Sequence, residues 1–371
     1  MAVWHGFKVI RSVHLDILRN ERMTIYVISF LLLVIFAFLS LNVTEKRLKD
    51  ILGFFSFSVV LFLVILRKGT VGCDLPQYKL YFDFVRESSD VRILFLQFDY
   101  GYTLLNYLVG AFTDDFYVFM RLYGMMCVIL LYAGIRCSSL DVSTSFLVFI
   151  MQDGYGFVCC ILRQALAVFL VLLAVSYLKN GKKWLWRGLS LAAVTIHSTA
   201  LVGFVYRPII FEKKKKIFIF KIFTSFVGLS VMAFVAMPLI VNLYKRNDYS
   251  NDIGGGGGRT LFLIVSVFLC FSAYLLRKKE YSIKNNHTLA FNACAFGLAI
   301  QVMALNFSLL TRLTKYFWIF SIVLIPYVIL HLKKNERILY SPAMAVLAFL
   351  WFMQHMTKDL SGIVPYQFFF Q

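Results

Sequence analysis

Apolar residues in this chain come in long blocks. Each block runs for about twenty residues with few charges, and short polar loops separate them. That is the length an α-helix needs to cross roughly 30 Å of hydrocarbon. Barrel strands would alternate polar and apolar positions, and these blocks do not. They fall at about 24–43, 51–66, 116–135, 143–160, 161–178, 188–206, 217–243, 260–276, 288–308, 313–332 and 338–356. The pattern predicts an all-α, polytopic integral membrane protein of about ten or eleven transmembrane helices, with residues 24–371 as one membrane domain. The piece 100–112 is apolar but too short to cross. Residues 1–23 mix Lys8, Arg11, Arg19 and Arg22 with Trp4, Phe7, Ile10 and Leu15. They read as a cytoplasmic tail or an interfacial amphipathic helix, and the first apolar block reads as an anchor rather than a signal peptide.

Composition agrees: 60% of residues are hydrophobic and 15% charged, with a mean hydropathy of +0.76. Soluble domains average roughly 45–50% apolar and about 25% charged. The net charge of +19 does not indicate a nucleic-acid partner, because the basic residues sit in short loops between apolar blocks, as the positive-inside bias produces. The clusters at 179–187, 277–284 and 333–337 are expected to be cytoplasmic. Lys213-Lys214-Lys215-Lys216 looks like a fourth, since four lysines in a short loop resist translocation. If both 183–187 and 213–216 lie inside, the chain between them is a re-entrant hairpin with His197 near its tip; the alternative is one ordinary span with the lysines outside. Counting outward puts 67–115, the turn at 158–162, the run Gly254–Gly258 and the turn at 309–312 on the far side. Asp74, Arg163, Arg259 and Arg312 then share one face of the membrane. The seven cysteines give no disulfide framework and no metal spacing.

Arg163 opens an apolar helix, where a guanidinium is costly unless it meets an anion, a cavity or the interface. Helix starts favour anions, so a bound phosphate would supply a partner that forked guanidinium donors match; the plain alternative is snorkelling to the headgroups. Arg312, Lys315 and Tyr316 sit at i, i+3 and i+4, one face of an entering helix, or else form an interfacial belt. His197, flanked by Thr195 and Ser198, is a candidate general base or a hydrogen-bonded structural histidine. Asp74, with Gln77 and Tyr78 at helical spacing, is a base, a sugar-hydroxyl acceptor or a cap, and Asp99 before Tyr100-Gly101-Tyr102 is similar. The five glycines before Arg259 suit an anion cradle or a flexible linker.

Taken in order, these landmarks resemble a known family. Val71-Gly72-Cys73-Asp74-Leu75-Pro76-Gln77-Tyr78 and Asp99-Tyr100-Gly101-Tyr102 look like the two early signatures of the EpsG-type family, which belongs with the Wzy-type O-antigen and exopolysaccharide polymerases. Arg163-Gln164-Ala165-Leu166-Ala167, Ile196-His197-Ser198-Thr199-Ala200-Leu201, Arg312-Leu313-Thr314-Lys315-Tyr316-Phe317 and Val364-Pro365-Tyr366 resemble its later ones. Two positions depart: Cys73 stands where threonine is expected, and Asp99 where glutamate is. The resemblance implies a multi-pass glycosyltransferase of the bacterial inner membrane. It would join undecaprenyl-diphosphate-linked oligosaccharides, donor and acceptor, at the periplasmic face, without metal, cofactor or nucleotide sugar, beside a chain-length regulator protein. His197 and Asp74 would be catalytic, and Arg163, Gln164, Arg312, Tyr316, Tyr78, Asp99 and Arg259 would bind substrate. A flippase of lipid-linked oligosaccharides and a glycan ligase of the same fold are the alternatives.

Overall fold

A computed structural model describes residues 23–88, 99–244, 266–273, 281–282, 284–304 and 310–370. Residues 1–22, the glycine run and Arg259 lie outside that set. In chain order the helices discussed below are α1 (Met23–Asn42), α2 (Lys46–Ile65), α3 (Leu75–Glu87), α4 (Tyr100–Gly110), α5 (Phe116–Ser138), α6 (Val142–Met151), α7 (Gly154–Cys160), α8 (Leu162–Lys179), α9 (Lys183–Ile196), a 3-10 helix (Ser198–Tyr206), α10 (Lys215–Tyr244), α11 (Asn286–Ala304), α12 (Thr311–Trp318), α13 (Ser321–Leu330) and α14 (Lys334–Lys358). Among the described residues there is no strand, only an isolated antiparallel bridge between Arg67 and Phe368. The protein is an all-α, multi-pass membrane protein.

Among the described residues four helices, α1, α2, α5 and α8, are each long and apolar enough to cross a membrane, or six spans if the bent pairs α6–α7 and α12–α13 count as one each. This is fewer than the apolar blocks predict. The blocks at 260–276 and 288–308 extend beyond the described residues, those at 217–243 and 338–356 lie in the continuous helices α10 and α14, and three others are interrupted. The block 143–160 bends by 71° between α6 and α7. Its cause is local: Asp153 is left-handed (φ 61°), and a Cβ on Gly154 would meet the Phe149 carbonyl at 2.5 Å. The block 313–332 bends by 41°. The block 188–206 breaks at His197, whose extended backbone (φ −156°, ψ 117°) ends α9 and starts the 3-10 helix.

The chain divides into two compact units. The first comprises 1–132, 141–166 and 333–371, the second 133–140 and 167–332. In the first, Phe30 of α1 stacks on Phe352 of α14 with ring centroids 4.7 Å apart, and the Tyr26 hydroxyl donates to the Ile363 carbonyl at 2.8 Å. The tail beyond α14 is thereby held in the core. Asp141 caps α6 by accepting from the Thr144 N–H (2.8 Å) and also accepts from Ser40 (2.5 Å), fastening α1 to the start of α6. Gly53 brings α2 against Val142, leaving no room for a side chain.

In the second unit Tyr206 ends the 3-10 helix inside an aromatic cluster. Its ring stacks on Phe317 (5.4 Å) and its hydroxyl donates to the Tyr316 carbonyl (2.7 Å). Phe296 of α11 meets Phe317 edge-on at 4.9 Å, and Asn292 reaches the Ile210 carbonyl (3.1 Å). Exposed lysines 213–216 lead into α10 and are held there by Glu212, which pairs with Lys221 at 2.6 Å. These hydrogen bonds depress the Glu212 carboxyl below its usual range.

Candidate functional site

α7 and α8 are separated only by Ile161, where the backbone leaves the helical region (ψ 58°). The break starts a new membrane helix, whose first N–H groups have no carbonyl partner within that helix. Arg163 is its second residue. A nitrogen of its guanidinium lies 3.3 Å from an Asp99 carboxylate oxygen, with the two side chains 22% and 21% exposed. The guanidinium also stands 5.6 Å from the centre of the Tyr102 ring, within cation–π range. Tyr78 is the third neighbour. Burial pushes its hydroxyl above the usual phenol range and the charge of Asp74 adds to that, while Arg163 pulls the other way by its charge and by hydrogen bonds from side chain and backbone.

The helices that carry these groups are locked by aromatic packing. Tyr81 of α3 stacks on Tyr102 of α4 with centroids 5.8 Å apart, and the Tyr81 and Thr103 hydroxyls are 2.5 Å apart. A partly exposed ion pair such as Arg163–Asp99 contributes about 0–1 kcal/mol. Arg163 thus places a forked cation at the start of α8.

The loop bearing Asp74 is fixed to α7 from several directions. Cys73 and Cys160 form a disulfide with Cα atoms 5.5 Å apart, so the expectation of no disulfide is corrected. Cys160 closes α7, and the bend after α6 is what carries it to the 67–74 loop. Gly72, at φ 133°, lies so close to the Cys159 carbonyl that a Cβ would collide. Its N–H donates to Gly362 (2.9 Å) and that of Cys73 to Ser361 (3.0 Å), so the tail braces the same loop. Disulfides form and persist mostly in oxidising compartments.

Arg67 is a residue that the sequence reading missed. Among the described residues it is the largest fully buried side chain, at 0% exposure. One terminal nitrogen donates to the Val71 carbonyl (3.0 Å) and the Cys159 carbonyl (2.8 Å). It thus ties together the residues just before Gly72-Cys73-Asp74 and just before Cys160. Hydrogen bonds from a charged group contribute roughly 1.5–3 kcal/mol each, and a buried carbonyl left without a donor costs about 1–3 kcal/mol. Arg67→Ala should accordingly lower the unfolding free energy by about 3 kcal/mol or more, measured by thermal or denaturant unfolding in detergent. Arg67→Met, which keeps volume but no donor, should recover only part of that. Wild-type stability in the alanine variant would show that the clamp has no weight.

In the second unit, His197 is half-exposed and Arg312 exposed. Tyr316 is fully buried, and its hydroxyl lies 3.0 Å from that of Thr199. The His197 and Arg312 segments therefore meet through Thr199 and Tyr316, although Tyr316 faces inward while Arg312 faces out. Gln164 is buried beside Arg163. Asp74 and Arg163 fall in one unit and His197 and Arg312 in the other. Among the described residues one group of three side chains could hold a metal: Cys73, Asp74 and Cys160, with ligand atoms within 4.8 Å of one another. With the sulfurs joined, only the carboxylate remains as a ligand. A hollow of about 540 Å³ along Lys46, Arg47, Asp50, Ile51 and Phe54 holds none of the candidate residues.

Comparison with known proteins gives one finding. The model of the EpsG family matches residues 50–368, which include every segment described in this section. No curated protein and no solved structure matches the chain.

Proposed function

The chain belongs to the EpsG family, a membership that supports a polysaccharide polymerase-type function, and from it we propose a membrane glycosyltransferase that extends glycans carried on a polyprenyl diphosphate. The observation that carries the proposal is the Arg163 cluster. A guanidinium stands at the first turn of a membrane helix, paired with the Asp99 carboxylate and flanked by Tyr78 and Tyr102. Such a cluster suits a diphosphate at the membrane surface, since forked donors match phosphate oxygens and helix starts favour anions.

In this reading the donor is an oligosaccharide on undecaprenyl diphosphate and the reaction runs at the extracytoplasmic face of the bacterial inner membrane. An acceptor sugar hydroxyl attacks the anomeric carbon of the donor. The bond from that carbon to the diphosphate oxygen breaks, and the diphosphate leaves with the electron pair, its charge stabilised by Arg163. The hydroxyl proton passes to a general base, for which Asp74 in the first unit and His197 in the second are the candidates. Arg312 with Lys315 offers a further cationic contact for a phosphate or an acidic sugar. A chain-length regulator would act as a partner.

The test is reconstitution of the purified protein in vesicles with a polyprenyl-diphosphate oligosaccharide as sole donor and acceptor. A ladder of products differing by whole repeat units is expected. Transfer to a different acceptor alone would favour a ligase, and movement of unaltered substrate across the bilayer a flippase; either outcome would reject polymerisation.

A further inference from the structure

α4 is polar on the inside and apolar on the outside. Its buried face carries Tyr102, Thr103 and Asn106, with Thr103 bonded to Tyr81 and the Asn106 amide donating to the Tyr102 carbonyl at 2.8 Å. Its outward face carries Tyr100, Leu104, Tyr107 and Leu108, continued by Phe112, all between 48 and 90% exposed. These positions follow the i, i+4, i+7, i+8 spacing of one helical stripe. A water-facing helix would show the reverse order. The neighbouring α3, packed on α4 through Tyr78 and Tyr81, does: it turns Gln77, Lys79, Arg86 and Glu87 outward, with Leu80 as its large apolar exception.

Both ends of α4 are tied to places where spans begin. At its N-terminal end, Asp99 bonds Arg163 in the first turn of α8. At the other end, residues 111–115 join it to α5, a reach of at most about 20 Å. With 11 residues, α4 is about 16 Å long and too short to cross. A short helix moored at two span entrances, with tyrosines among leucines on its free face, has the composition of an interfacial element.

We propose that the outer face of α4 is a lipid-binding surface, immersed at the headgroup–acyl boundary on the side of the membrane where α8 begins. The occupant is the bilayer itself. This inference requires only that the chain spans a membrane, so it stands or falls apart from the polymerase reading. Its consequence is that Arg163, at the N-terminal end of α4, sits level with lipid phosphates.

The experiment is spin-label accessibility in phosphatidylethanolamine–phosphatidylglycerol nanodiscs. The exposed free thiols Cys137 and Cys270 are first changed to serine. Single labels are then placed by Leu104→Cys and by Leu108→Cys, with Lys79→Cys on α3 as the aqueous reference. Oxygen collisions should exceed those of a water-soluble nickel chelate by several-fold at 104 and 108, and the order should reverse at 79. Chelate access at 104 and 108 equal to that at 79 would overturn the proposal. Exclusion of both reagents, meaning that protein covers the face, would overturn it equally.

Discussion

Arg163→Ala arrests the glycan at a single repeat unit when it replaces the wild-type chain in a strain lacking its own polymerase. The expectation rests on where the guanidinium stands. In the resting structure it is paired with Asp99 at 3.3 Å, about one-fifth exposed, and touches Tyr102 and Tyr78, so its loss costs about 1–3 kcal/mol, less than the roughly 5–15 kcal/mol that holds a folded protein. The variant should therefore fold and reach the membrane in normal amount, as a blot of the membrane fraction would show. The effect falls on catalysis. A donor aimed at charge that develops in the transition state is worth about 10²–10³ in rate, enough to empty the ladder above one unit. Arg163→Lys restores the charge without the fork and should give short, sparse ladders. An arginine that only snorkels to headgroups would tolerate both changes. Normal chain lengths from the alanine variant would withdraw Arg163 from the diphosphate assignment.

Much of this arrangement is legible in the chain, and the places where it is not share a physical cause. Block lengths locate α1, α2, α5 and α8 within a few residues, because twenty apolar residues can do little else in a bilayer. The interruptions are harder to read. Asp153 and Gly154 inside an apolar block mark the α6–α7 bend, but hydropathy averaged over a span hides two residues. His197 is legible as an oddity in an apolar run, and its place at the end of α9 makes it a break as well as a polar group. The Arg163–Asp99 pair joins residues 64 positions apart, and no local pattern encodes a contact set by tertiary packing. Arg67 escapes notice because a basic residue at the end of a span has the look of a snorkelling one; only the fold shows that tail and loop close over it.

The disulfide escapes for the same reason, and it carries the second large expected effect. Cys160 ends an apolar block, so it reads as a buried thiol, and Cys73 lies 87 positions away. Chain-entropy arithmetic for a loop of that length gives about 4–5 kcal/mol. The gain realised should be roughly half, because α5 lies within the loop and remains inserted when the rest unfolds, so the open chain is never free. Changing Cys73 and Cys160 together to serine should then lower the unfolding temperature in detergent by roughly 3 °C. Mild reductant should do the same to the wild type and nothing further to the double variant. The bond also holds the Asp74 loop against the residue three places before Arg163, so the double variant should make shorter glycans even at temperatures where it stays folded. Alkylation with a mass-tagged maleimide under denaturing conditions reports the bond directly: prior reduction should add two tags to the wild type and none to the double variant. Equal tagging of wild type with and without reductant would remove the bond, and with it the covalent tie between the Asp74 loop and α7.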